Sequence, residues 1–549
     1  MVAAAWAGPH DPLHSEVPRD LVVSWPPSDA DHLLVTAAQM DDLEKQLFNN
    51  GMPVAALMEK VGQGMVRWFL DQPGLLDQGA LVLVGPGHNG GDGLVVAREL
   101  HLAGVQVSLW SPLPIRKSLT AQHWTHACWL GLPQLSDPPD PDDGALWIEA
   151  LFGLGQTRPL PDSLAALFRH RQIKQPGRLV SLDLPAGLCS DSGRLLQADA
   201  AVAATTLSVG LIKQGLVQDL ALGHVGQIER VDLGLQAPLL ASLGESQPRL
   251  IKPADLLTLP CPQPQLTAMK YQRGRVLVIA GSDQYRGAAR IAIQGALASG
   301  AGSVQAAVPA AVAERLWELE PELIVAASLA SSAEASLCLE PWLSSHDLRR
   351  LDAVVCGPGL GQSQESWATE SAPLRDFPGL LVLDADGLNR LSCCPEGWRW
   401  LQQRQGPTWI TPHAGEFARL FPHLRDLAPL QAAAAAASQS GATVLLKGAH
   451  SVLADASGRQ WQLSETAPWV ARTGLGDLLA GYLGGWGAMA LAVEGECRSE
   501  ACAAAMFLHA EAGKQCRSGS SATEISRVLS KLTLERQRNL YEEMHTGGR

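Results

Sequence analysis

At 549 residues, with 46% apolar and 18% charged side chains, the chain is long enough for two or more folded domains and too apolar for general disorder. Its 42 Lys and Arg against 55 Asp and Glu leave a formal charge of -13, and no dense Lys/Arg tract offers a surface for nucleic acid or anionic membrane. Apolar runs are broken by charge, Gly or Pro well short of the ~20 residues a membrane-spanning helix needs, so neither nucleic acid nor membrane is an expected partner. Ten scattered cysteines lack metal-ligand spacing, the adjacent Cys393 and Cys394 having no second pair, and reduced thiols in a cytoplasmic protein are expected.

The opening MVAAAWAGPHDPLHSEVPRD has neither a positively charged start nor a sustained apolar core and does not read as a signal peptide; residues 1–30 are expected to form a flexible extension. From Ala80, LVLVG is a short buried-strand pattern, GPGHNGGDG (residues 85–93) a turn, LVVARELHLAG a helix pattern and VQVSLW a second strand. Further strands are expected at ALWIEA, ending at Ala150, at RLVSLDLP, ending at Pro185, and at AVAATT (residues 201–206). This alternation predicts an α/β domain with a Rossmann-like, doubly wound parallel sheet over residues 31–235. A stretch rich in Gly, Pro and Ser (residues 233–250) marks the boundary, and a second α/β domain is expected over residues 250–549. There RVLVIAG, SVQAAVP, LDAVVCGPG, LLVLDADG, TWITP and TVLLKG read as strands, AARIAIQGALASG and the alanine-rich run QAAAAAAS (residues 431–438) as helices.

In the first half, Asn89 and Asp92 stand in a glycine-rich loop at a helix start, where free N–H groups favour an anion and polar side chains can hold a hydroxyl or cation. Glu149 and Asp183 fall at strand ends facing the same crevice, as a base or cation ligand would; the plain alternative is a solvated acid capping the next turn. The following strand ends in Leu109 and Trp110, where a dinucleotide fold wants a ribose-binding acid, which disfavours an NAD-dependent dehydrogenase. In the second half, TGLGD (residues 473–477) puts backbone N–H groups and Asp477 at a helix start, a geometry suited to phosphoryl transfer, with a simple first-turn cap as the alternative. Asp384, Asp386, His413, Glu416 and Lys447 fall at other strand ends of the same half, although singly His413 could cap a helix, Lys447 be a solvated strand end and the paired aspartates form a turn.

The ordered motifs VTAAQMDDLE, GMPVAALMEKVG, GPGHNGGDG, EALFGLG, SLDLPAG and TTLSVGLIKQGL resemble the epimerase domain of the NAD(P)H-hydrate repair enzyme family. That resemblance implies a potassium ion on Asn89, Glu149 and Ala186, a hydrate site at Asn89, Gly90, Gly91 and Asp92 with Gly153, Leu154 and Gly155, and Asp183 as acid–base residue. Glu149 and Ala186 stand where the family usually has Asp and Ser. The second half, with GPGLG, DADGLN, TPHAGE, LKGAH and the Gly-Asp helix start, resembles the ribokinase-type, ADP-dependent NAD(P)H-hydrate dehydratase domain. It implies hydrate contacts from Ala288, Gly359 and His413, an adenine nucleotide on Lys447, Gly448, Ala449, His450 and Ser451 with Gly476, and Asp477 as catalytic residue. Magnesium is expected on the phosphates, and Arg472, outside the family pattern, would add phosphate affinity.

The resulting expectation is a fused enzyme that interconverts R and S hydrates of NAD(P)H and dehydrates the S form with ADP, working as a cytoplasmic homo-oligomer. Two rivals stay open: an ATP-dependent small-molecule kinase of the same fold, and a dehydratase carrying an epimerase-like binding module that has lost its catalysis.

Overall fold

The structure, a computed structural model, describes residues 25–332, 335–362, 367 and 371–546. Strands of the first half are β1 (Leu34–Val35), β2 (Ala80–Val84), β3 (Val107–Trp110), β4 (Gln134–Leu135), β5 (Leu146–Ala150), β6 (Leu179–Leu182), β7 (Thr205–Val209), β8 (Ile212–Lys213) and β9 (Gln227–Val231). Seven of them form one sheet in the order β4-β3-β2-β5-β6-β7-β9, parallel throughout. All five residues of β2 and of β5 are buried, because a parallel sheet is covered by helices on both faces and its inner strands are apolar runs. From β2 to β7 this is the doubly wound order, whose reversal point lies between β2 and β5 and opens a crevice at their carboxyl ends.

Two expectations shift here. The helix after β2 runs His88–Leu102 and takes in most of the glycine-rich motif, which is therefore not a turn. Its glycines are what let it start so early: a Cβ on Gly90 would lie 2.1 Å from the Gly85 carbonyl oxygen, and one on Gly93 2.5 Å from the Ala150 side chain. The strand expected at residues 201–206 begins only at Thr205, since the N–H groups of Ala201 and Ala203 donate outside the sheet, to the carbonyls of Ala186 (2.9 Å) and His224 (2.8 Å).

The second half holds β10 (Arg249–Ile251), β11 (Arg275–Ile279), β12 (Ser303–Pro309), β13 (Ile324–Leu329), β14 (Ala353–Cys356), β15 (Leu380–Leu383), β16 (Thr408–Ile410), β17 (Thr443–Leu446), β18 (Val452–Ala454) and β19 (Gln460–Leu463). They make a ten-stranded sheet in the order β10-β19-β18-β17-β16-β15-β14-β11-β12-β13, antiparallel only where β18 meets β17 and β19. The strands of this half not expected from the sequence are β13, only one of whose six residues is buried, and the short β10, β18 and β19. The alanine-rich run lies in helix Pro429–Ser440, where Ala432, Ala433, Ala436 and Ala437 form one buried face. Helix Leu475–Glu494 meets helix Arg286–Ala298 backbone to backbone: a Cβ on Gly481 would sit 1.8 Å from the Ala292 carbonyl oxygen, one on Gly295 2.1 Å from that of Leu478. Among the described residues no helix is long and apolar enough to cross a membrane.

Residues 25–30, expected to belong to the flexible extension, are part of the described fold. Residues 1–24 lie outside the described part, but Trp25 is buried in the core of the second half, its ring centroid 6.1 Å from that of Phe507. Its indole N–H donates to the Asp255 carbonyl (3.2 Å), and its own carbonyl accepts from the Trp461 indole (3.1 Å). His32 continues the seam, Nε2 lying 3.1 Å from Asp255 Oδ1, and the N–H of Leu250 donates to the His32 carbonyl at 2.7 Å. Trp25 and His32 thus precede the first sheet in the chain yet bind residues of the second half. Replacing Trp25 with Ala is expected to lower the stability of the second half by about 3–5 kcal/mol, read as an earlier midpoint in denaturant titrations followed by tryptophan fluorescence.

Candidate active sites

The first cleft, of about 370 Å³, opens at the carboxyl ends of β2, β5, β6 and β7 and is lined by Asn89, Asp92, Gly153, Leu154, Gly155 and Asp183 among others. Asn89 and Asp92 sit one turn apart at the start of helix His88–Leu102, which has no side-chain cap, so its first N–H groups are free for a ligand. Asn89 Nδ2 donates to the Leu182 carbonyl (3.1 Å), while its Oδ1 is buried and without a partner. Asp183 follows β6 with φ 67°, a left-handed conformation unusual for a side-chain-bearing residue. Its Oδ1 accepts from Lys213 Nζ at 2.5 Å and from the Val209 N–H at 3.2 Å. The other oxygen faces Gly153, where a Cβ would come within 2.9 Å of it.

Lys213 went unremarked in the sequence, although a lysine in the apolar run LIK is itself a sign of a buried, paired ammonium. It is wholly buried and also donates to the Val209 carbonyl at 2.6 Å. Glu44, from helix Ala37–Asn49, also lines the cleft, with no sequence signal to mark it. Burial, reinforced by the Asp183 charge, pushes the Glu44 carboxyl up to about 7 and that of Asp92 well above the ordinary carboxylate range.

Not every expected residue reaches this cleft. Gly90 and Gly91 face inward, Gly91 so close that a Cβ would lie 2.5 Å from the Met58 methyl. Glu149 is fully buried below the cleft: its oxygens accept from the N–H of Leu151 (2.8 Å), the hydroxyl of Ser181 (2.9 Å) and the N–H of Ala186 (3.0 Å). Burial pushes its carboxyl up to about 7. Ala186 has no side-chain donor, and its carbonyl accepts from the N–H of Ala201. Of the expected potassium ligands, then, Asn89 has a free oxygen, whereas Glu149 and Ala186 are engaged with the protein itself.

In the second half, Gly359, Asp384, His413 and Lys447 follow β14, β15, β16 and β17, so adjacent parallel strands deliver them to one edge. Lys447 Nζ is 2.6 Å from Asp384 Oδ1 and 3.8 Å from Glu416 Oε2. Burial pulls the ammonium pKa down, but the two carboxylates outweigh it and hold Lys447 above its ordinary value. Helix Leu475–Glu494 starts beside this pair, with Gly474 at φ 96° and no side-chain cap, so Asp477 is a first-turn acid and the first N–H groups stay open. A Cβ on Gly476 would lie 3.4 Å from Lys447 Nζ. Burial, followed by the Asp384 charge and against the pull of Lys447, brings Asp477 up to about 6. Gly359, at φ 63°, packs on Ala288, whose Cβ would be 2.7 Å from an added one.

A cleft of about 450 Å³ beside that helix start is lined by Lys447, Gly448, Ala449, Ser451 and Gly476, with apolar walls from Leu475, Leu479 and Met506. His450 is absent from it: its ring is buried against the first half, Nδ1 lying 3.0 Å from the Val217 carbonyl. His413 does cap a helix, its Nδ1 accepting from the Gly415 N–H at 2.9 Å, while its Nε2 lies 3.3 Å from Glu416. Arg472 donates to the Gly519 carbonyl at 3.1 Å, a commitment to the protein that the phosphate reading did not foresee.

A family model described as NAD(P)H-hydrate dehydratase matches residues 276–533, and one described as YjeF-related protein N-terminus matches residues 54–215. The bifunctional NAD(P)H-hydrate repair enzyme Nnr of Gloeobacter violaceus is 42% identical over 488 residues, covering 88% of this chain and 93% of its own. The protein of that name from a Synechocystis strain is 41% identical over 456 residues, covering 82% and 85%. Among solved structures, the ADP/ATP-dependent NAD(P)H-hydrate dehydratase of Bacillus subtilis, co-crystallized with ATP and magnesium, aligns with a TM-score of 0.41 at 23% identity, over 52% of this chain and 96% of its own. With relatives this similar across both halves, the chain belongs to the family of bifunctional NAD(P)H-hydrate repair enzymes.

Proposed function

We propose that the chain restores hydrated nicotinamide cofactors, residues 31–235 interconverting the R and S hydrates of NAD(P)H and residues 250–549 dehydrating the S form at the expense of ADP. The observation that carries this reading is Asp477, a carboxyl pushed up to about 6 at an uncapped helix start, next to the buried Lys447–Asp384 pair. That combination puts a proton acceptor and phosphate-binding groups at one point. Asp477 takes the proton of the ring hydroxyl as the hydroxyl oxygen attacks the β-phosphorus of ADP, and AMP leaves. The phosphate ester then eliminates inorganic phosphate, with loss of a ring proton, to give NAD(P)H; hydrate and ADP thus become NAD(P)H, AMP and phosphate.

Lys447, Gly448, Ala449, Ser451 and Gly476 would hold the nucleotide, and Ala288, Gly359 and His413 the hydrate. Asp384 and Glu416 present the hard carboxylate oxygens a magnesium ion takes, and magnesium, when bound, screens the phosphate charge. In the first cleft Asp183 carries the proton as acid and base, with Lys213 holding one of its oxygens. Potassium is supported by the unpartnered Asn89 Oδ1 and opposed by the engagement of Glu149 and Ala186, so no step is assigned to it. A homo-oligomer in the cytoplasm is the setting we propose.

With mixed R and S NADH hydrates, ADP and magnesium, NADH absorbance is expected to recover fully. Recovery of the S fraction alone would make the first half a binding module with no catalysis, and no recovery would favour the kinase. Asp183→Ala should abolish epimerisation and spare S-hydrate dehydration, while Asp477→Ala should slow dehydration by about 10²–10⁴-fold and spare epimerisation; loss of both activities in either variant, with the fold intact, would contradict two independent sites. Because Asp477 works as a base, dehydration should fall about tenfold per pH unit below its pKa, with a limb near about 6 in the pH–rate profile. A flat profile between pH values on either side of that limb would remove Asp477 from the proton transfer.

A further inference from the structure

Asp219 belongs to the first half, yet its carboxylate reaches the second. Oδ2 accepts from the Ala449 N–H at 2.9 Å and Oδ1 from the His450 N–H at 2.8 Å. Gly448 has to be bare for this approach, since a Cβ there would lie 2.5 Å from Asp219 Oδ2. Two successive backbone N–H groups converging on an anion form a nest, and here the anion comes from the same chain. The segment that delivers it is not a loose tail. Gln214–Val217 is a buried 3-10 turn, the Val217 carbonyl accepts from Gln462 Nε2 at 2.8 Å, and Gln218 Nε2 donates to Gln462 Oε1 at 3.0 Å.

Lys447, Gly448, Ala449 and Ser451 line the second cleft on the other side of the same loop. We infer that Asp219 is a positioning residue for the nucleotide, an inference that rests on the function proposed above: it fixes the peptide orientations of residues 448–450 from behind, so that the cleft face is formed before ADP arrives. A loop ordered in advance spares the ligand the entropy of ordering it, and that gain appears in affinity and not in the chemical step.

The test uses the full chain with Asp219→Ala and Asp219→Asn, ADP binding by titration calorimetry, and steady-state dehydration and epimerisation. Asp219→Ala should raise both Kd and KM for ADP about tenfold while kcat and the epimerisation rate stay within about twofold. Asp219→Asn, which keeps one acceptor, should recover part of the affinity. Unchanged ADP affinity in Asp219→Ala with an unchanged Tm would overturn the inference. So would tighter binding, which would mean that the carboxylate competes with the phosphates. Were Asp219→Ala to lose its fold, Asp219→Asn decides by the same criterion. Because calorimetry needs no hydrate, a wild-type chain that binds ADP without turning over hydrate would count against the proposed reaction and leave the role of Asp219 to be judged on Kd.

Discussion

Each half of the chain depends on one ammonium group placed where a parallel sheet ends. Lys213 meets Asp183 at 2.5 Å and Lys447 meets Asp384 at 2.6 Å, in each case at the carboxyl edge where neighbouring strands release their loops. Without those cations, the acids gathered there would have to take up protons or stay apart, because like charges in a poorly solvated site disfavour one another. With them, each cleft keeps a lysine-paired acid, Asp183 or Asp384, next to others whose proton affinity is raised: Glu44 and Asp92 in the first, Glu416 and Asp477 in the second. Carboxyls whose proton affinity is raised toward neutrality are what acid–base work near neutrality calls for. The pairs also carry a structural cost. Removing one member of a buried pair leaves the other unpaired, at about 3–5 kcal/mol.

The glycines serve this arrangement by contact more than by flexibility. Gly90 and Gly93 press helix His88–Leu102 onto the ends of β2 and β5, whereas Gly481 presses the helix that carries Asp477 in its first turn onto helix Arg286–Ala298. Both helices are therefore held by close packing against backbone, and both starts lack a side-chain cap. A ligand is left to satisfy their first N–H groups.

Much of this was legible in the sequence, and the limits have physical causes. Apolar runs bounded by glycine gave the parallel strands β2, β5, β6, β11, β14 and β15, since burial on both faces leaves no alternation to misread. The residues at their carboxyl ends followed from the same reading. A helix carrying three glycines in its first two turns was not legible, because propensity argues against it and only the close approach of Gly85 and Ala150 explains it. Glu44 and Asp219 were not legible either. Each acts on a group distant in the chain, and neither stands in a pattern that local periodicity can register. Lys213 was the missed opportunity, a lone charge in an apolar run that had to have a partner.

Residues 25–34 bear on how the chain can be divided. They lead into the first sheet but supply Trp25 to the core of the second, and the boundary stretch itself ends in β10, which pairs with β19. A second half produced alone would leave the Trp461 indole N–H without its acceptor and a hole the size of an indole beside Phe507. A first half produced alone would carry Trp25 with no core to bury it. Either fragment would then be prone to stick to its own copies, and a low yield or weak activity from it would describe the cut surface, not the enzyme.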